Sequence, residues 1–264
     1  MNSLLDLRRH PAAILVLLLA ALAVMGGLYT ALKPTDVQAE APAAASADDV
    51  KEGDKLFQAN CATCHGKNGE GITDAGPSLV GVGAAAVDFQ VATGRMPLSG
   101  PGVQAKRKAP QFDQKQIDQM AAFVASLGNG PSTPEAEYTD LKGADPAHGG
   151  ELYRVNCAMC HNFNGSGGAL TRGKFAPTLE GVEPKHIYEA METGPQNMPV
   201  FNDQNLSPQD KEDIAAYLDE MHSSPNQGGN DLGNLGPVAD GVFIWTLGIG
   251  LFLGAAYWLT RKSS

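Results

Sequence analysis

The pentapeptide pattern Cys-x-x-Cys-His occurs twice, as Cys61-Ala62-Thr63-Cys64-His65 and as Cys157-Ala158-Met159-Cys160-His161, and it consumes all 4 cysteines of the 264-residue chain. Two cysteines three positions apart at the start of a helix can add to the two vinyl groups of one porphyrin. A histidine directly after them is placed to ligate the iron. The pattern is that of c-type haem attachment, so two covalently bound haems c are expected, with no cysteine left for a disulfide between the halves. A zinc ribbon would bring both cysteine pairs into one small unit, whereas these stand far apart and each runs straight into a histidine. A thioredoxin-like pair would need a βαβ pattern around it, and no strand-rich segment flanks either motif.

The sequence around the motifs is duplicated, residues 50–127 answering to 146–222. Gly53-x-x-Leu56-Phe57-x-x-Asn60 precedes the first motif and Gly149-x-x-Leu152-Tyr153-x-x-Asn156 the second, each reading as an amphipathic helix. Downstream, Gly76-Pro77-Ser78-Leu79-x-Gly81 matches Ala176-Pro177-Thr178-Leu179-x-Gly181. Each half closes with a helix, one opening near Asp113-x-x-Gln116 and the other at Ser207-Pro208-Gln209-Asp210, where a capping hydroxyl, a first-turn proline and an acid follow one another. Phe57 with Phe123, and Tyr153 with Tyr217, are expected to pack opening helix on closing helix around Gly53 and Gly149. Each half has fewer than about a hundred residues, so a haem must supply much of its apolar interior.

The sixth iron ligand should come from later in the same half. Thr93-Gly94-Arg95-Met96-Pro97 matches Thr193-Gly194 followed by Met198-Pro199, which nominates Met96 and Met198. Methionine in that position raises the reduction potential relative to a second histidine. Met191 competes with Met198 but falls on a probable helix without a counterpart, Met120 reads as core of the closing helix, and Met159 cannot reach across from within its own motif. His10, His148, His186 and His222 have no partner in the repeat and are expected at the surface or in linkers. A carbonyl near Pro77 or Pro177 could take the Nδ1 proton of His65 or His161 and fix the ligating tautomer.

The first half carries an insertion after its methionine, Ser99 to Ala109, with the basic run Lys106-Arg107-Lys108. It could dock an acidic partner or lie near haem carboxylates; a solvated loop is the simpler expectation. The net charge of -10 argues against a nucleic-acid partner, which would require a basic face. Residues 12–32 are 21 uncharged positions, about 31 Å of helix, preceded by Arg8 and Arg9. Residues 241–260 are another 20, with Trp245, Tyr257 and Trp258 near the ends and Arg261-Lys262 beyond. Both read as helices crossing the membrane with cytoplasmic termini and an external middle. A signal peptide cleaved near Val37-Gln38-Ala39 is the rival for the first, but the apolar run is longer than such peptides need. The expected order is a cytoplasmic N-terminus (1–11), a transmembrane helix (12–32), a linker (33–48) and a haem domain (49–128). A linker (129–145), a second haem domain (146–223), a linker (224–237), a transmembrane helix (238–260) and a cytoplasmic tail (261–264) follow.

The paired Cys-Ala-x-Cys-His motifs, Thr-Gly-Arg-Met-Pro at 93–97, Gly-Pro-Gln-Asn-Met-Pro at 194–199 and Leu235-Gly236-Pro237-Val238 before the last helix carry a family likeness. Across nearly its whole length the chain resembles the dihaem cytochrome c subunit of the actinobacterial menaquinol:cytochrome c oxidoreductase, the bcc complex. The resemblance implies a mainly α fold: two tandem class I cytochrome c domains between an N-terminal and a C-terminal transmembrane helix. Cys61, Cys64, His65 and Met96 would hold one haem, and Cys157, Cys160, His161 and Met198 the other. It further implies an electron-transfer subunit of a quinol–cytochrome c reductase without a catalytic site of its own. Its partners would be a cytochrome b subunit, a Rieske iron–sulfur subunit that supplies electrons, and a terminal cytochrome c oxidase that receives them. A dihaem subunit of a cbb-type oxidase and a dihaem peroxidase are the alternatives. The helix after the second domain disfavours the former, and matched methionines on both haems the latter.

Overall fold

The computed structural model describes residues 11–32, 45–100, 102–223 and 241–262. Arg8, Arg9 and His10, the linker 224–237 and Leu235-Gly236-Pro237-Val238 lie outside the described residues. The chain divides into two units, Met1–Ala41 and Pro42–Ser264. In the first, α1 (Pro11–Leu32) starts on a proline, whose missing N–H costs a first helical turn nothing, and its described leucines stand exposed.

In the second unit the duplicated sequence folds as a duplicated set of helices. The first repeat is α2 (Ala47–Asn60), α3 (Ala62–His65), α4 (Gly83–Ala92) and α5 (Gln114–Ser126). The second is α6 (Pro146–Asn156), α7 (Ala158–His161), α8 (Pro184–Thr193) and α9 (Pro208–Ser223), with a two-residue hairpin pairing β1 (Gly168–Ala169) and β2 (Phe175–Ala176). The helix starts follow from local chemistry. Ser46 Oγ accepts from the Asp49 amide at 3.1 Å, and Asp113 and Gln116 form a reciprocal capping box. At α9, Ser207 and Asp210 exchange side-chain and amide hydrogen bonds in the same manner, at 2.9 and 3.2 Å.

Opening and closing helices meet where the glycines predicted. A Cβ on Gly53 would stand 1.9 Å from the Gln119 carbonyl oxygen, and one on Gly149 the same 1.9 Å from that of Asp213, so only glycine lets these backbones touch. The flanking rings then come together, Phe57 with Phe123 at 5.0 Å between centroids and Tyr153 with Tyr217 at 5.4 Å. Behind them lie buried Val91, Ile117 and Met120 in the first repeat, and Met191, Leu206, Ile214 and Leu218 in the second.

The two repeats pack on each other through α4 and α8. The segment between them is less free than a linker: it holds a 3-10 turn, Ala136–Tyr138, whose Tyr138 ring stacks on Tyr188 at 6.1 Å. His186, expected at the surface, is a correction of the same origin. It sits at 9% exposure on α8 because the face of α8 that carries it is covered by the other repeat. Beyond the second repeat the chain is helical from Gly241, passing through a π-helical segment, Ile244–Ile249, into α10 (Gly250–Lys262). The Thr246 hydroxyl donates to the Val242 carbonyl at 2.6 Å within that wider turn. Gly241–Arg261 is long and apolar enough to cross a membrane, and its apolar side chains are unburied.

Candidate functional site

Each motif occupies a break between two helices. Cys61 ends α2 and begins α3, Cys157 ends α6 and begins α7, and the single turn that follows places both cysteines and the histidine on one side. The chain then folds back under the histidine by the same bonds in both repeats. The Gly71 amide donates to the His65 carbonyl at 2.7 Å and Gly167 to His161 at 2.9 Å, while Leu79 donates to Gly69 and Leu179 to Gly165, both at 2.7 Å. The return brings the Pro77 carbonyl 2.7 Å from His65 Nδ1 and the Pro177 carbonyl 3.0 Å from His161 Nδ1. A carbonyl oxygen only accepts, so Nδ1 carries the proton in each ring and Nε2 keeps its lone pair. Burial also holds the His161 pKa below its ordinary value, which favours the neutral imidazole a metal requires.

None of the four cysteines is in a disulfide. Burial pushes the Cys61 thiol up to about 11 and the Cys157 thiol up to about 12. In the second repeat Cys157, Cys160, His161 and Met198 line one cavity of about 310 Å³, within the range of about 300–1,000 Å³ usual for cofactor sites. Met191 also borders it, but from within α8 at 2% exposure, as a core residue. In the first repeat Met96 and Cys61 pack against the same buried group of Val91, Ile117 and Met120. Met159 is 88% exposed at the rim. His148 pairs with Asp213 at 2.9 Å and His222 reaches the Asn164 carbonyl at 3.0 Å, both away from the donors just named.

Gln104, Ala105 and Arg107 of the insertion lie against the second repeat, where the sequence alone suggests a solvated loop. The Gln104 side chain both donates to and accepts from the Phe175 backbone, at 2.7 and 2.9 Å. Gln196, two residues before Met198, makes the same paired contact with the Ala105 backbone, 3.1 Å each way. Arg95 is buried over the Phe89 ring at 4.6 Å, and burial, followed by its neighbour Arg107, pushes its pKa down to about 10. Nearby, Lys185 Nζ reaches across the contact between repeats to Asp88 Oδ2 at 2.5 Å, with Glu189 Oε1 at 3.8 Å and His186 Nε2 3.8 Å from Asp88. This group has the donors of a metal site, but the lysine ammonium already supplies its cation. These residues were missed because nothing in the local sequence marks them. Their one signal is asymmetry: Arg95 and the insertion have no equivalent in the second half.

Likeness to known proteins extends over almost the full chain. It is 43% identical to the cytochrome bc1 complex cytochrome c subunit of Corynebacterium efficiens, covering 97% of this chain and 91% of that one. It is 46% identical to the subunit of the same description from Mycobacterium tuberculosis, covering 94% and 90%. The chain belongs to the family of cytochrome bc1 complex cytochrome c subunits. As a member of that family it carries two cytochrome c domains. The domain family described as cytochrome C oxidase, cbb3-type, subunit III matches residues 48–124 and again 144–218, which is a likeness of each repeat singly. The cbb3-type oxidase subunit CcoP of Rhodobacter capsulatus is 33% identical over only 32% of either chain. The alternative of a cbb-type oxidase subunit therefore gives way to the bc1 assignment.

Proposed function

We propose that the chain relays single electrons through two covalently held haems c, from a Rieske iron–sulfur subunit to a terminal cytochrome c oxidase, beside a cytochrome b subunit. The observation that carries this reading is the repeated donor set. Cys61, Cys64, His65 and Met96 would hold the first haem and Cys157, Cys160, His161 and Met198 the second. The cavity that unites the second set is lined mainly by apolar groups, with cations at its edge, and so suits a flat apolar ring bearing carboxylates. Bound haem would supply an iron that takes up and releases one electron at a time. The protein's part is to keep each imidazole in its Nε2-ligating tautomer through Pro77 and Pro177, and to offer a thioether from Met96 or Met198. It also excludes water with the packed pairs Phe57–Phe123 and Tyr153–Tyr217.

The anchors complete the proposal: α1 and the C-terminal helix both cross the cytoplasmic membrane, both termini are cytoplasmic, and the two repeats face outward. The domain limits 49–128 and 146–223 and the spans 12–32 and 238–260 belong to this reading. Gly250 and Gly254 lie one turn apart in α10 and would permit close approach of a neighbouring helix in lipid.

A pyridine haemochrome assay should return two haems per chain, and Met96→Leu and Met198→Leu should each abolish one sulfur-to-iron absorption band. One haem per chain, zinc in place of iron, or two intact bands in either variant would refute the ligand assignment. Protease added outside wall-stripped cells should cut between the repeats and spare a C-terminal tag; a digested tag would refute the topology.

A further inference from the structure

The cavity of the second repeat is not built by that repeat alone. Phe89, Arg95, Gln104, Ala105 and Arg107 of the first repeat stand in its wall beside Cys157, His161 and Met198. The loop that carries Arg107 is fixed there by the paired contacts of Gln104 with Phe175 and of Gln196 with Ala105, and by Arg107 Nη2 donating to the Gly181 carbonyl at 3.3 Å. Of the lysines close by, Lys174 is engaged with Asn197 at 2.7 Å and Lys108 with the Pro97 carbonyl at 2.5 Å and Ser99 at 2.8 Å, while Lys106, also in the wall, is exposed to water. Arg95, at 8% exposure, and Arg107 have no carboxylate paired to them among the described residues.

Two guanidiniums bordering one mostly apolar cavity are an unfavourable arrangement unless an anion completes it. The Arg95 guanidinium is withdrawn from water without a carboxylate, and the more exposed Arg107 adds a second like charge beside it. The anion must suit the rest of the cavity, so it has an apolar body and carries its charge at one edge. Guanidinium matches carboxylate with two parallel hydrogen bonds, which selects carboxylate as the charged group. We propose that Arg95 and Arg107, residues of the first repeat, bind the two propionate carboxylates of the haem held by the second repeat. This inference rests on the haem assignment above. Its consequence is electrostatic: positive charge beside the haem disfavours the ferric state, so the first repeat holds the potential of the second haem up.

The test is a spectroscopic redox titration of the detergent-solubilised full chain in its complex, with the second haem's wave identified as the one that Met198→His displaces. In Arg107→Gln that wave should move negative, so that the ferric to ferrous ratio at a fixed ambient potential rises about tenfold, a shift of about 59 mV for one electron. The wave should also gain a pH dependence, because a propionate left unpaired titrates more readily. Arg107→Lys should retain most of the wild-type potential. Gln104→Ala frees the loop without removing a charge and should shift the same wave in the same direction by less. Arg107 is at the surface, so its variants should fold, and Arg95→Gln provides the second arm. An unmoved second wave in both Arg107→Gln and Arg95→Gln, with two haems still bound, would overturn the proposal. So would a shift confined to the first haem. Loss of haem from the wild type would instead overturn the assignment on which it rests.

Discussion

Replacing Lys211 with methionine should destabilise the second repeat by about 3 kcal/mol, the lower end of the cost of breaking a buried ion pair. Lys211 is fully buried in α9, where its ammonium pairs with Glu192 of α8 and with Asp203 at 2.7 Å and lies 5.3 Å from the Tyr188 ring. Burial already raises the Glu192 pKa, and without the lysine that carboxylate would have no counter-charge. Asp203 is 62% exposed and can turn to water, which is why the lower end applies. The lysine also joins α8, α9 and the segment after Met198, so, if the haems are held as proposed, the loss should broaden or weaken the sulfur-to-iron band of the second while sparing that of the first. The first repeat has Ile117 at the matching position of its closing helix, an apolar solution to the same packing problem. The double variant Lys211→Met, Glu192→Gln should therefore recover most of the loss. Thermal unfolding of the two variants decides the matter: equal destabilisation of single and double variants would mean that the ion pair contributes nothing.

Glu189→Gln should act in the opposite sense and only above mildly acid pH. The Glu189 side chain is fully buried with neither carboxyl oxygen hydrogen-bonded, and burial, with nearby Asp88 adding to it, pushes its pKa up to about 9. A carboxyl whose pKa is raised in the folded state binds a proton that the unfolded chain has already released. Its contribution is thus fully present below about pH 4.5 and is lost progressively as pH rises toward about 9. The amide carries no such penalty. At pH 7 the variant should be more stable by about 2–3 kcal/mol, and at pH 4 the two proteins should unfold together. Asp88 behaves inversely. Burial would raise its pKa, but His186 and Lys185 outweigh that and hold it low, so its contribution is present above the usual carboxylate range and fails as acid protonates it. Unfolding midpoints measured from pH 4 to 9 should show the wild-type curve falling on its alkaline side and the Glu189→Gln curve flat there. Parallel curves would show that Glu189 is ionised, and hence hydrated, in the folded protein.

What could be read from the sequence was what local chemistry specifies. The motif, the capping residues at Asp113 and Ser207, and the small residues Gly53 and Gly149 opposite large rings each act over a few positions, and each led to the contact observed. Carbonyl oxygens of Pro77 and Pro177 facing the motif histidines were legible for the same reason, since the repeat places them at loop distance twice. The contact between the repeats was not. Lys185 and Asp88 stand 97 positions apart, and Gln104 and Phe175 stand 71 apart, with no periodicity to connect them. His186 has no counterpart in the other copy, so the repeat gives no sign that the neighbouring copy covers it. When two copies of a domain pack against each other by different residues, the departures from the repeat gather in their contact. Arg95, where the second half has Pro195, is such a departure.

The crossed pairing of Gln104 with Phe175 and of Gln196 with Ala105 bears on how this chain could evolve further. A freshly duplicated gene encodes two modules that can still part company, since each meets water with the same self-sufficient surface. Once each copy supplies an amide side chain to the other's backbone, deleting either one leaves a bare peptide group in the survivor, and deleting the first also opens the wall of the second copy's cavity. Selection then acts on the two copies as a pair, and losing either one carries a cost to the other.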